Sequence, residues 1–273
     1  MNNRNSKKEI IRIQNKILAK YNETSLFPKK MLEYLKLEKE IISYQSVLKY
    51  YKILNLPLKG SGGNNIKVKH NPFLINSDES NYWVGFIAAD GNVNKKTNTI
   101  AIQSKDIEHI LKYRDFINPD LIPFYRINKA GSNMCTIYYA NKEIKNWMIS
   151  KGITPNKSLT LSIKEDQWNW SMVRGLFDGD GSATKQVKIT SASKTLVSEL
   201  CNFLKKYNII YYIKEKQSKH ICYDIIIKSR LHFYYYLYKN AEIFLERKKH
   251  KFEHLIRNDK KKIEGELRES LKW

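Results

Sequence analysis

Two nine-residue stretches decide how this chain is read: Trp83-Val84-Gly85-Phe86-Ile87-Ala88-Ala89-Asp90-Gly91 and Val173-Arg174-Gly175-Leu176-Phe177-Asp178-Gly179-Asp180-Gly181. On a helix, Gly85 and Ala89 share one face, as do Gly175 and Gly179. Small residues at that spacing let two backbones approach closely, so the two stretches are expected to pack helix against helix. The spacing alone is a common packing device and carries no function. The ends say more. Each stretch closes on aspartate and glycine, where Gly91 and Gly181 are expected to supply left-handed caps. Asp90 and Asp180 then sit at helix C-termini, the wrong end of the macrodipole for an anion by about 0.3–1 kcal/mol. Packing the helices also brings like charges together, which disfavours ionisation. A hard divalent cation resolves both problems, held by Asp90, Asp180, the carbonyls of Ala89 and Gly179, water and substrate phosphate. A calcium loop starting at Asp178 fails, because Ala183 and Ile189 stand where an EF-hand needs glycine and a bidentate glutamate.

Outward from the stretches, the chain reads as a duplication. Each is followed by an alternating strand, Thr97 to Ser104 and Lys185 to Ser191, and then an amphipathic helix, Asp106 to Ile117 and Ser193 to Tyr207. Two more strand-like segments and a helix follow, Lys142 to Ser150 and Ser229 to Asn240. The expected fold is α+β, two pseudo-twofold-related αββαββα repeats with antiparallel hairpins, preceded by a small all-α unit. The expected division is 1–59, 60–75 (linker), 76–160 (first repeat), 161–253 (second repeat) and 254–273 (tail). Gly60-Ser61-Gly62-Gly63-Asn64-Asn65 is the composition of a flexible hinge.

The chain has 273 residues, with 49 Lys plus Arg against 27 Asp plus Glu, a formal charge of +22. Such an excess points to a polyanion, with nucleic acid ahead of an acidic membrane surface. An A- and T-rich genome would inflate Lys, Ile, Asn and Tyr but would not deplete Glu. No run approaches the ~18–20 apolar residues of a membrane span. The opening MNNRNSKKEI lacks the apolar core of an export signal, so an intracellular location, cytoplasm, nucleoid or organelle matrix, is expected. Cys135, Cys201 and Cys222 lie in apolar runs without paired spacing and are read as reduced core residues.

At this point the sequence resembles the LAGLIDADG homing endonucleases. The resemblance rests on the two stretches, the order of elements between them, and the segments Gly152-Ile153-Thr154-Pro155-Asn156-Lys157-Ser158 and Leu237-Tyr238-Lys239-Asn240-Ala241. It implies a single-chain, two-repeat, monomeric endonuclease cutting a long, pseudo-palindromic double-stranded DNA site and leaving short 3′ overhangs. Asp90 and Asp180, matching the motif's final acid, would hold Mg²⁺ and activate water. The first stretch departs from the motif, with Ala88 where the second has Asp178. The segment Ile227-Lys228-Ser229-Arg230-Leu231-His232 resembles the place of an active-site lysine, which points to Lys228. The first repeat has Ala140 there, with Lys142 two residues on. Gln103 and Ser104, or Thr190 and Ser191, are candidates to orient water.

Period-two alternation turns Ile100, Ile102, Val187 and Ile189 towards the helices. Thr99, Gln103, Lys188 and Thr190, with Arg126, Asn128, Tyr212, Lys214 and Lys216, are then the candidate groove surface. The first sixty residues suggest three short helices. Ile10, Ile13, Ile17 and Leu18 recur in the first, Pro28 opens the second, and Ser43 caps a third carrying Val47, Leu48, Tyr51 and Leu54. That spacing resembles a helix-turn-helix, which would place Ser43, Tyr44, Gln45, Ser46 and Lys49 in the major groove. The tail from Glu246 is expected to be an exposed helix, with His250 and His254 as surface residues. The aromatics of His232 to Tyr238 are read as core. The competing function is a non-cleaving nucleic-acid binder on the same scaffold, an RNA-splicing maturase or a transcription regulator.

Overall fold

The computed structural model describes residues 3–24, 26, 28–54, 56, 68–128, 131–217 and 220–270, with side chains left aside at 3–8, 29, 44 and 259–270. The expected hinge Gly60 to Asn65, the segment 57–59 and the side chains of the lysine run 260–262 fall outside the described residues. Three helices open the chain: α1 (Asn3–Thr24), α2 (Pro28–Leu37) and α3 (Tyr44–Ile53). They share a core of Ile13, Ile17, Met31, Leu35, Val47 and Tyr51. Ile10 and Leu18, expected on that face, stand exposed. Ser43 accepts from the Ser46 N–H at 3.1 Å, which fixes the start of α3.

The first repeat runs α4 (Asp78–Asp90), β1 (Gly91–Val93), β2 (Thr99–Ser104), α5 (Ile107–Ile117), β3 (Phe124–Ile127), β4 (Asn133–Ala140) and α6 (Lys142–Ser150). The second repeats the order: α7 (Trp170–Asp180), β5 (Gly181–Ala183), β6 (Val187–Ser191), α8 (Lys194–Lys206), β7 (Tyr211–Lys216), β8 (Cys222–Ile227) and α9 (Arg230–Tyr238), before α10 (Glu246–Ser270). Each repeat forms a four-stranded antiparallel sheet, ordered β1-β2-β4-β3 and β5-β6-β8-β7. This is the expected α+β fold. Side-chain caps set the helix starts, since Ser77 accepts from Ser80 N–H, Asn141 from Ile144 N–H, Asn169 from Met172 N–H and Ser193 from Leu196 N–H.

α4 and α7 pack along their small faces. A Cβ on Gly85 would lie 2.0 Å from the Met172 carbonyl oxygen, and one on Gly175 would lie 2.0 Å from that of Tyr82. A Cβ on Gly179 would lie 2.2 Å from Ala89 Cβ. Only glycine allows such backbone contact. The caps differ from expectation. Gly91 (φ −76°) and Gly181 (φ −85°) are extended, not left-handed, because each helix passes straight into a strand. Their need for glycine is steric: a Cβ would fall 2.6 Å from Ile87 Cγ2 and 2.3 Å from Phe177 Cδ2 respectively.

Polar groups fix the helix pair from the second repeat's side. Arg174, 1% exposed, donates to the carbonyls of Ile243 (2.8 Å) and Leu237 (2.9 Å) and pairs with Asp78 of α4. Asp178, equally buried, accepts from Tyr82 OH (2.9 Å) and Leu245 N–H (2.7 Å), and His109 Nε2 lies 2.7 Å from the same hydroxyl. Burial pushes the Asp178 carboxyl up to about 7, against these donors and the nearby Lys248 and Arg174. Asp178 therefore ties the 237–245 strap to both helices. The first repeat has Ala88, 2% exposed, at the matching place. Inside the second repeat Phe233, Leu237 and Tyr238 are core, with Trp170 stacked 4.7 Å from Tyr236, whereas His232 and Tyr235, expected as core, are exposed on the far side of α9. Cys135 and Cys201 are buried, but Cys222 is only half-buried, on the outer face of β8, which corrects its reading as core.

Candidate active site and nucleic-acid interface

The packed faces of α4 and α7 carry the chain ends of both helices to one place. A Cβ on Gly179 would be 3.6 Å from Asp90 Cγ, so the Asp90 carboxylate lies over the last turn of α7. Both aspartates retain solvent exposure. Partial burial raises the Asp90 carboxyl, opposed by Lys248, Lys157 and Arg247. Asp180 is pushed up to about 6, by burial first and by the Asp90 charge second, opposed by Lys157 and Lys248. Neither carboxylate accepts a hydrogen bond from a described residue.

The cations beside them are Lys157 and Lys248. Lys157 Nζ donates to the carbonyls of Ala89 (3.2 Å) and Gly91 (2.6 Å). Lys248 Nζ donates to those of Phe177 (2.9 Å) and Gly179 (2.7 Å). Each ammonium thus closes the C-terminal turn of its own repeat's helix and counters the negative end of the dipole beside the aspartate. Burial lowers both, Lys248 to about 8, with the neighbouring aspartates opposing. The carbonyls of Ala89 and Gly179, expected as metal ligands, are engaged by these lysines. Sequence reading missed both residues, although they follow the two aspartates at nearly equal intervals.

The expectation for Lys228 is corrected. Gly181 opens β5 opposite Ile189 of β6, which faces Ile225 of β8. Lys228 lies beyond Ile227 at the other end of that sheet, its ammonium 4.8 Å from the Tyr212 ring centroid. It is separated from Asp180 along the strand, whereas Lys157 and Lys248 bond the helix ends that carry Asp90 and Asp180. The water-orienting candidates are also engaged: Thr190 Oγ1 donates to Asp224 at 2.7 Å, Ser104 Oγ to Asp106 at 3.3 Å, Ser191 Oγ accepts from Ser193 N–H, and Gln103 Oε1 accepts from Arg126 at 2.7 Å.

The sheet faces separate by parity. Ile100, Ile102, Val187 and Ile189 are buried against the helices. Register then places Thr99, Gln103 and Arg126 on the outer face of the first sheet, with Thr136 between Gln103 and Phe124. Lys188, Thr190, Tyr212, Lys214 and Lys216 share the outer face of the second, with Asp224 between Thr190 and Lys214. Asn128 lies at the β3–β4 turn, where its side chain accepts from Ser132 N–H. Gln45 and Lys49 are exposed on α3, and Ser43 caps it.

Lys157→Met and Lys248→Met leave helix-end carbonyls without their donor. Each variant is expected to lose about 1–3 kcal/mol in a denaturant melt. Each also removes a cation that opposes the raised carboxyl pKa, so the titration midpoint of Asp90 and Asp180 is expected to move up. An unchanged midpoint would show that the lysine acts on the fold alone.

A family model described as a LAGLIDADG-like domain matches residues 168–256. The replication factor C small subunit of Methanocaldococcus jannaschii is 25% identical over 241 residues, covering 81% of this chain and 13% of that protein's length. Among solved structures, variants of the homing endonuclease I-DmoI align at 16% identity over 68% of this chain and 100% of theirs, TM-score 0.46. The homing endonuclease I-WcaI bound to its DNA recognition sequence aligns at 19% over 76% of this chain and 92% of its own, TM-score 0.46. The N-terminal LAGLIDADG domain of DUF199/WhiA aligns at 16% over 66% and 86%, TM-score 0.42. No described helix is long and apolar enough to cross a membrane.

Proposed function

We propose that the chain is a site-specific DNA endonuclease of the LAGLIDADG kind, breaking both strands of a long, pseudo-palindromic duplex site with Mg²⁺; the match of residues 168–256 to a LAGLIDADG-like domain supports this reading. The observation that carries this reading is the convergence of Asp90 and Asp180 at the ends of the packed helices, with neither carboxylate committed to a hydrogen bond among the described residues. Their oxygens are of the kind a hard divalent cation prefers, and their mutual repulsion is the charge it would relieve. A bound divalent ion would polarise the scissile phosphate and ease deprotonation of water.

The chain's own groups define the rest. Asp90 and Asp180 would hold the divalent ion that neutralises the reacting phosphates. Lys157 and Lys248 fix the helix ends and keep both acids ionisable. The outer faces of the two sheets lie in the major groove on either side, with lysines on phosphate and Gln103, Arg126 and Lys188 at base edges. The amino-terminal unit adds Ser43, Gln45 and Lys49 as a second grip on the duplex. The division at 1–59, 60–75, 76–160, 161–253 and 254–273, and the monomeric state, belong to this proposal. Retention of both acids favours cleavage over a binding-only role on RNA or DNA.

The test is incubation with a randomised duplex library, with and without Mg²⁺, followed by sequencing of the ends. Ends clustered at one sequence and only with metal support the proposal. Binding without cuts in any metal would assign the chain to the binding-only class.

A further inference from the structure

On the outer face of the second sheet, among Lys188, Lys214 and Lys216, stands a carboxylate. Asp224 lies on β8 between Thr190 of β6 and Lys214 of β7. Its side chain is 2% exposed. Lys188 Nζ donates to Oδ2 at 2.7 Å, Lys216 pairs with the same oxygen, and Thr190 Oγ1 donates to Oδ1 at 2.7 Å. Burial pushes this carboxyl up, yet the donors from Lys188, Lys216 and Thr190 outweigh it and hold it down to about 2. It is therefore an anion at any working pH.

An anion on a face that meets phosphate weakens raw attraction, and nothing in the core requires it. What it does is local. Lys188 and Lys216 come from strands on opposite sides of β8, and both stay partly open, at 26% and 43%. Each ammonium carries three donors, of which the carboxylate takes one. The remaining donors are left for a ligand, and the shared carboxylate restricts the rotamers of both long side chains. Fixed ammoniums can discriminate the acceptor edge of guanine, whereas free ones track phosphate.

The matching place in the first sheet has different chemistry. Thr136 occupies it, between Gln103 and Phe124, and the basic residue of that face, Arg126, is held by the neutral Gln103 amide. The two faces use one device, a basic residue tethered across the sheet, with different tethers.

We propose that Asp224 is a specificity-determining positioning residue, which holds Lys188 and Lys216 to read base edges in the half-site under the second sheet. The inference rests on the nuclease reading of these faces. The test is selection from a randomised duplex library by wild type and by Asp224→Asn, with affinity for the unselected library measured across salt. Asp224→Asn is expected to lose base preference at a few adjacent positions in one half of the site, with the other half unchanged. The ratio of selected to unselected affinity is expected to fall about tenfold or more. Affinity for unselected duplex is expected to rise, with a steeper salt dependence, because a negative charge is removed. Lys216→Met should lose preference at the same positions, and it supplies the test if Asp224→Asn does not fold. A wild type that enriches a sequence which both variants enrich identically, or preference lost evenly over the whole site, overturns the proposal. A wild type that enriches nothing would instead overturn the nuclease reading itself.

Discussion

Asp90→Asn and Asp180→Asn are each expected to abolish double-strand cleavage, by a factor on the order of 10³ or more, while sparing binding. The magnitude follows from losing several kcal/mol of transition-state charge stabilisation at about 1.4 kcal/mol per decade of rate. Stability should move the other way. The Asp180 carboxyl is pushed up to about 6 by burial and by Asp90. A carboxyl raised in the folded state contributes stability that is complete below its ordinary range, near pH 4, and lost as pH rises through about 6. At pH 7.5 in EDTA the wild type bears the full repulsion and Asp180→Asn does not, so the variant should melt higher. Adding Mg²⁺ should raise the wild-type melting temperature and leave the variant little changed. Equal melting of the two proteins at pH 7.5 and at pH 4 would remove the electrostatic basis of the site.

The second large effect belongs to the helix pair. Gly175→Ala places a Cβ 2.0 Å from the Tyr82 carbonyl oxygen, 2.6 Å from Phe86 N and 3.0 Å from Gly85 C. All three are backbone atoms, so no rotamer change relieves the contact and the helices must separate. The expected cost is about 3 kcal/mol or more, a melting temperature lower by roughly 6–12 °C. Gly179→Ala provides the internal control. Its Cβ meets Ala89 Cβ at 2.2 Å, a side-chain atom, so adding Ala89→Gly should recover much of the loss. Failure of that rescue would mean that the helices do not approach as described.

The duplicated stretches were readable because two local signals coincide in them: small residues at helical spacing on one face and an acid at the end. Strand parity was readable for the same reason, and it placed Ile100, Ile102, Val187 and Ile189 inside. The residues that complete the site were not, because their partners are distant in the chain. Lys157 reaches Ala89 and Lys248 reaches Gly179 across whole repeats, and neither lysine differs locally from the many others. A lysine at nearly the same interval after each aspartate is a signal they share with other pairs, such as Lys95 and Lys185. Lys228 was misplaced because resemblance gave a strand end without saying which end of the sheet faces the helix termini. The glycines of the Asp-Gly pairs were assigned to the right residue type for the wrong reason: the strand follows without a turn, and the constraint is contact with Ile87 and Phe177. Asp224 was invisible because an acid in a strand reads as one more solvated position until register sets Lys188, Thr190 and Lys216 around it.

The central claim is that Asp90 and Asp180 act together on DNA through a divalent ion. The most direct measurement is a strand-resolved time course on a duplex carrying the enriched sequence, each strand end-labelled, with Mg²⁺ added last to the preformed complex. One break in each strand is expected, at facing positions, starting only when Mg²⁺ is added and lost with Asp90→Asn or Asp180→Asn. Breaks that persist in EDTA, or that survive unchanged in both variants, would contradict it.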